Sequence, residues 1–137
     1  MSEVGYRRAG AILIAGGLLG VLAVILGAFS AHYLSTRLEV TGRLATFKIA
    51  NHYHFIHTLA LVLSGVMMMR EESNRFRWLL SAACFGFGMG IILFSGSLYV
   101  LSLTEWKWLG GIAPVGGVFF ILGWGALMIA GGKIFFT

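Results

Sequence analysis

Twenty-eight consecutive residues, 9–36, contain no Asp, Glu, Lys or Arg. Two comparable runs follow, 49–69 (21 residues) and 78–104 (27 residues), and beyond Trp108 the only charged residue is Lys133. A bilayer core about 30 Å thick is crossed by about 20 apolar residues in helical conformation. The runs therefore predict four spans, at roughly 9–32, 49–69, 78–102 and 109–131. In lipid every backbone N–H and C=O needs a partner within the protein, which leaves helices or closed barrels. A barrel needs alternating polarity, and these runs are apolar on all faces. The expected fold is all-α: an integral membrane up-down four-helix bundle, with residues 1–137 as one transmembrane domain. Four crossings place both termini on one side.

Composition agrees. Only 11% of residues are charged, against about 25% in soluble domains, so lipid must solvate much of the surface. The net charge of +5 is spread over the loops. No basic stripe tracks phosphates, which argues against nucleic acid as a partner. The single cysteine, Cys84, cannot form an intrachain disulfide. It reads as a small apolar filler, because no cation lies near it to favour a thiolate. Arg7 and Arg8 precede an apolar stretch longer than a signal-peptide core. They read as flanking charge rather than as an export signal.

Loop Lys and Arg set orientation. The terminal side carries Arg7, Arg8, Arg70, Arg75, Arg77 and Lys133, and the other side Arg37, Arg43, Lys48 and Lys107. Six against four favours cytoplasmic termini. Trp78, Trp106 and Trp108 sit beside basic residues as interfacial anchors. Residues 70–77 read as a tight charged turn and 103–108 as another. In the first loop, Val40, Leu44 and Phe47 have the spacing of an amphipathic surface helix. Thr41 is placed to cap the second span.

Twenty glycines are about twice the average share. Lipid supplies no hydrophobic push between helices, so close backbone approach matters. Gly16 and Gly20 form one G-x-x-x-G and Gly86 and Gly90 another; Gly27 continues the first face. These, with Gly116 and Gly117, are candidate packing positions, within the bundle first and between chains second. Pro114, the only proline, reads as a helix start or a kink, or alternatively as an opened segment lining a cavity.

Intramembrane polar residues carry the functional hypothesis. His32 ends the first span. Asn51, His52, Tyr53, His54 and His57 begin the second. Ser95, Ser97 and Tyr99 end the third, and Pro114 begins the fourth. Alternating helix direction brings all of them to the end of the bundle opposite the termini. His54 and His57 lie about 60° apart around a helix, on a shared face, placed to meet His32 with Tyr99 or Ser95. The candidate polar site is thus His32, His54, His57, Ser95 and Tyr99. Interhelical hydrogen bonding is its plainest use. Binding of a metal, haem or quinone-like ligand is a second, and passage of protons or small solutes a third. No metal site is assigned, because H-E-x-x-H, C-x-x-C and intramembrane carboxylates are lacking. No cofactor is named. Met67–Met69 read as packing rather than copper ligands. Ser95-Gly96-Ser97 is not a nucleophile elbow, and the glycines do not open a phosphate-binding turn.

Four segments carry a resemblance. Gly27-Ala28-Phe29-Ser30-Ala31-His32 resembles G-A-F-G-A-H, and Tyr53-His54-Phe55-Ile56-His57-Thr58-Leu59-Ala60 resembles Y-Q-x-x-H-[AT]-L-A. Leu93-Phe94-Ser95-Gly96-Ser97-Leu98-Tyr99 is similar to L-F-S-G-S-L-Y. Pro114-Val115-Gly116-Gly117, with Gly123-Trp124, is similar to P-[IV]-G-G…G-W. These are the motifs of the bacterial membrane family "domain of unknown function 423", akin to transmembrane protein 256 of animals. The resemblance implies a four-helix protein of the plasma (inner) membrane with no established activity. It places the family's histidines on His32 and His57. His54 and Ser30 depart from the family's Gln and Gly. The functional expectation is a non-enzymatic protein working through helix contacts, as a homo-oligomer or an accessory subunit of a larger membrane complex. The alternative is a ligand-binding module or a proton or solute carrier at the polar end.

Overall fold

The computed structural model describes residues 3–70, 76–104 and 106–135. They form α1 (Glu3–His32), α2 (Ser35–Val40), α3 (Leu44–Arg70), α4 (Arg77–Gly90), α5 (Ser97–Leu103) and α6 (Ala113–Phe135). A π-helical segment, Ile91–Gly96, joins α4 to α5 without a break, and a 3-10 turn, Lys107–Gly111, leads into α6. Four rods are long and apolar enough to cross a membrane: Gly5–His32, Leu44–Met69, Arg77–Leu103 and Lys107–Phe135. The up-down, all-helical architecture read from the charge-free runs is the one observed. Each rod begins ahead of its charge-free stretch, because a helix need not start where the hydrocarbon does. At about 1.5 Å per residue α1 is some 45 Å long against a core of about 30 Å. Its first turns, with Tyr6, Arg7 and Arg8 exposed, reach past the apolar zone.

The helices pack in chain order. α1 lies on α3, α3 on the α4–α5 rod, and that rod on α6. α1 and α6 are thus the two edges of the arrangement. In α1 only 11% of the most apolar window is buried, against 50% in the α4–α5 rod. The interior is built around Leu61, Ala83, Phe87, Ile91 and Phe120 at mid-depth. Leu79, Leu80 and Met68 fill the terminal side, and Leu38, Phe47 and Tyr99 the other.

Close backbone approach holds α6 to the rod. A Cβ at Gly86 would lie 2.8 Å from the Phe119 carbonyl and 2.9 Å from the Gly123 Cα. One at Gly116 would overlap the Phe94 backbone. Phe94 belongs to the π-helical segment, whose wider turn presents its main chain to α6. The Ser97 hydroxyl donates to the Phe94 carbonyl at 3.0 Å, which gives that carbonyl a side-chain partner. Gly90 lies under the Phe120 ring and Gly16 against Val62. Gly20 and Gly117 are looser, with nearest neighbours at 3.9 and 4.0 Å. At the terminal side the Lys133 ammonium lies 5.7 Å from the Trp78 ring, tying the two ends together by a cation–π contact.

Two details of the first loop differ from the sequence reading. The surface helix is Ser35–Val40 alone, and its buried anchor is Leu38. Val40 is exposed, while Leu44 and Phe47 already belong to α3. Thr41 does not cap the second span. Its hydroxyl turns back to the Arg37 and Leu38 carbonyls at 3.0 and 3.3 Å and closes α2. The cause is Gly42, whose φ of +67° terminates α2 in the left-handed conformation and interrupts the spacing. Pro114 sits at the second position of α6, where its missing N–H costs no helical bond. Most of the charged turn expected at 70–77 lies outside the described residues, as does Glu105 of the second turn.

Gly116→Val should therefore cost about 1–3 kcal/mol of stability through overpacking. Gly131→Ala, where an added Cβ meets nothing within 4 Å, should stay within about 0.5 kcal/mol of the parent. Thermal unfolding in detergent micelles compares the two. Equal stabilities would contradict the rod–α6 approach.

Candidate functional site

Asn51, His54 and Thr58 stand at i, i+3 and i+7 on α3 and share one face. That face is turned toward α1 and α5. The Asn51 side-chain amide donates to the Ala23 carbonyl of α1 at 2.8 Å and to the Tyr99 hydroxyl of α5 at 3.1 Å. One side chain thus bridges three spans. The Asn51 Oδ1 lies 3.1 Å from where a Cβ of Gly27 would be, so the small residue at 27 lets the amide reach α1. The Tyr99 oxygen is also 3.2 Å from Nδ1 of His54. Since it accepts from Asn51, its own proton is best spent on His54 Nδ1. That leaves the imidazole proton on Nε2, which is buried without a hydrogen-bond partner. Phe47 packs on the Tyr99 ring at 4.9 Å.

His54 is 1% exposed and Ser95 is fully buried. The Ser95 and Thr58 hydroxyl oxygens are buried without a protein partner, as is Nε2 of His54. Other interior hydroxyls are satisfied within their own helices: Ser64 donates to the Ala60 carbonyl at 2.8 Å and Ser102 to Leu98 at 2.7 Å. Among the described residues Nη2 of Arg77, at the terminal side, is the fourth such atom; the three at this end are the kind of group that an ordered water or a polar ligand satisfies.

His57 belongs to a different interface. Its Nδ1–H donates to the Tyr53 carbonyl one turn back, at 2.7 Å. This fixes the neutral tautomer with Nε2 as acceptor, and Nε2 receives the indole N–H of Trp124, on α6, at 3.2 Å. The imidazole is stacked on Phe120 with centroids 3.5 Å apart and is flanked by Tyr53 at 5.6 Å. Trp124 entered the sequence reading only as part of the G-W motif and not as a candidate site residue. Its signal was position: three of the four tryptophans sit near span ends, where indoles favour the interface, whereas Trp124 is eleven residues from either end of α6.

The five candidate residues therefore do not form one cluster. Tyr99 and His54 join through the hydroxyl–imidazole contact, with Asn51 as the unforeseen third member. Ser95 lies one turn deeper than Tyr99 on the same rod, buried and unpaired. His57 faces α6. His32 is exposed at the end of α1 and takes no part in these bonds. The separation of His54 from His57 is geometric: an offset of about 60° suffices to send two side chains into the grooves on either side of a packed helix. Among the described residues no three His, Cys, Asp or Glu converge as metal ligands. The chemistry available is neutral hydrogen bonding and aromatic stacking.

The family model for a protein family of unknown function, DUF423, matches residues 26–117. A UPF0382 membrane protein of Staphylococcus aureus (strain bovine RF122 / ET3-1) is 42% identical over 120 residues, covering 86% of this chain and 92% of the relative. The UPF0382 inner membrane protein YgdD of Escherichia coli K12 is 38% identical over 120 residues, covering 88% and 87%. No solved structure matches. The chain belongs to this family of small membrane proteins, named for location and not for activity.

Tyr99→Phe removes the hydroxyl shared by Asn51 and His54 and leaves Nδ1 of a buried imidazole unpaired. It should cost about 1–2 kcal/mol. Ser97→Ala, which loses only a bond within its own helix, should cost less than half as much. Unfolding midpoints of the two variants in micelles decide the matter, and equal losses would refute the bridging role.

Proposed function

We propose that this protein is a non-enzymatic helix-contact subunit of the inner membrane, pairing with a second copy or with the span of a larger membrane complex. One observation carries the reading. α1 packs on α3 but leaves an apolar groove of about 440 Å³ between itself and α4, lined in part by Ala11, Ala15, Ser81 and Cys84. Small side chains on both walls are what close approach of another helix requires in lipid, where packing and not hydrophobicity drives association. The glycines of the two G-x-x-x-G motifs face inward or lie beside α3 and α6. Gly10 and Gly17, seven residues apart on α1 with nothing within 4 Å of an added Cβ, form a separate small-residue stripe on another face of the helix, away from Ala11 and Ala15. The excess of basic residues on the terminal side, six against four, supports cytoplasmic termini.

A Cys84→Ser, Ala15→Cys chain treated in native membranes with copper phenanthroline as oxidant should give a disulfide-linked dimer where a second copy fills the groove. The same thiol carrying a maleimide–benzophenone should give, on illumination, a covalent adduct with one partner protein where another span fills it. Ala15→Trp should abolish the assembly while leaving the helical content unchanged. A parent chain that runs as a single-chain particle in mild detergent, with no co-purifying protein, would contradict the reading.

A further inference from the structure

A second groove, of about 490 Å³, opens between α3 and α6 and faces the lipid. Tyr53, His57, Phe94, Gly117, Phe120 and Trp124 form its walls. We infer that it is a binding site for a lipid-soluble molecule bearing a flat oxygenated ring, of the quinone class. The inference does not depend on the helix-contact reading, which concerns the opposite seam of the arrangement.

The volume is within the range of small-molecule sites, about 300–1,000 Å³, which are apolar with a few placed polar groups. Most of the apolar surface here is rings, with Ile56 and Ile121 beside them. Tyr53 lies 4.7 Å from Phe94 and 6.0 Å from Phe120, at interplanar angles of 36° and 32°. Ring faces at these angles offer offset stacking to a planar guest, which an acyl chain does not use, while the two isoleucines suit an aliphatic tail.

Two of the polar groups, His57 and Trp124, are a matched pair, and His52 and Tyr53 line the groove beside them. His57 is thirteen residues from either end of α3, and Trp124 eleven from either end of α6. Both therefore sit near mid-membrane, where a charged headgroup does not reach. With Nδ1 held by the Tyr53 carbonyl, His57 Nε2 can only accept, and the indole N–H can only donate. They satisfy each other at 3.2 Å when the groove holds nothing else. Trp124 is 47% exposed and can swing outward. A ring carbonyl would take the indole N–H, and a ring hydroxyl would give its proton to Nε2. An oxidised ring uses the first contact and its reduced form the second.

Gly117 supplies the room. A Cβ there would meet only the Phe94 ring, at 4.0 Å. Helix packing therefore does not require glycine at 117, unlike at Gly116 next to it. Its effect is to keep the wall of the groove low.

The test uses a chain in which Trp78, Trp106 and Trp108 are replaced by Phe, so that Trp124 is the only indole. Decylubiquinone is titrated into the protein in micelles, with n-decanol as the chain-only control. Trp124 emission should fall along a saturating curve with decylubiquinone and be unchanged by n-decanol. Gly117→Leu, whose Cβ meets only the Phe94 ring at 4.0 Å and whose branch occupies the groove, should weaken the apparent affinity about tenfold or more. His57→Leu should weaken it about tenfold, the value of one lost hydrogen bond. Circular dichroism should show both variants helical. Quenching that never saturates, that n-decanol reproduces, or that is the same in Gly117→Leu would overturn the assignment.

Discussion

Lipid tails are as apolar as leucine, so burying an apolar side chain between two membrane helices gains little over leaving it in the bilayer. The whole arrangement answers that constraint. Cohesion has to come from backbones close enough for dense van der Waals contact and from hydrogen bonds that the bilayer cannot replace. The chain uses both, in different places. Between the rod and α6 it is backbone approach: Gly86 against Gly123, and Gly116 against the main chain of the π-helical turn. Between α1, α3 and α5 it is a polar bridge, Asn51 to Ala23 and Tyr99, then Tyr99 to His54.

This division explains why the helices run as a row with two edges. α6 is held along its length by glycine contacts. α1 is held to α3 by close approach as well, at Gly16 against Val62 and at Gly65 against Ile12, and by the amide bridge. Most of α1 nevertheless faces outward, because one neighbour covers only one side of a helix. Helices with one main partner leave seams on either side of the central pair, and both apolar grooves lie on such seams. One is lined by small side chains and suits another helix. The other is lined by rings around an imidazole–indole pair and suits a planar guest.

Much of this was legible in the sequence. The four spans follow from charge-free runs whose lengths match the hydrocarbon thickness, and antiparallel order follows from short connections. Helix direction alone brought α3's first half and the end of the rod together, which is where Asn51, His54 and Tyr99 meet. What could not be read is rotational. His54 and His57 differ by about 60°, and no pattern in an all-apolar helix says which groove each enters, because the usual polar-outside cue is missing. The same gap hid Asn51 as the bridging residue and left His32 grouped with side chains it does not reach. The π-helical turn has no sequence signature of its own. Its consequence, the demand for glycine at 116, was visible as a candidate packing position, paired with Gly117 and with nothing to show that only the first needs to be glycine. In the first loop, period counting ran Val40, Leu44 and Phe47 together across a break that Gly42 imposes.

The bridge among three spans is the claim on which the interior depends, and it can be measured without unfolding the protein. Solid-state NMR on chains in bilayers, labelled with ¹⁵N at the Asn51 side-chain amide and ¹³C at the Tyr99 ring, reads the dipolar coupling between them directly. The structure, with the amide nitrogen 3.1 Å from the phenolic oxygen and the hydroxyl-bearing ring carbon one bond further, predicts a small but measurable coupling to that carbon and an amide slow to exchange with deuterated water. A vanishing coupling together with rapid exchange would mean that Asn51 faces water or headgroups, and the interior described here would be wrong.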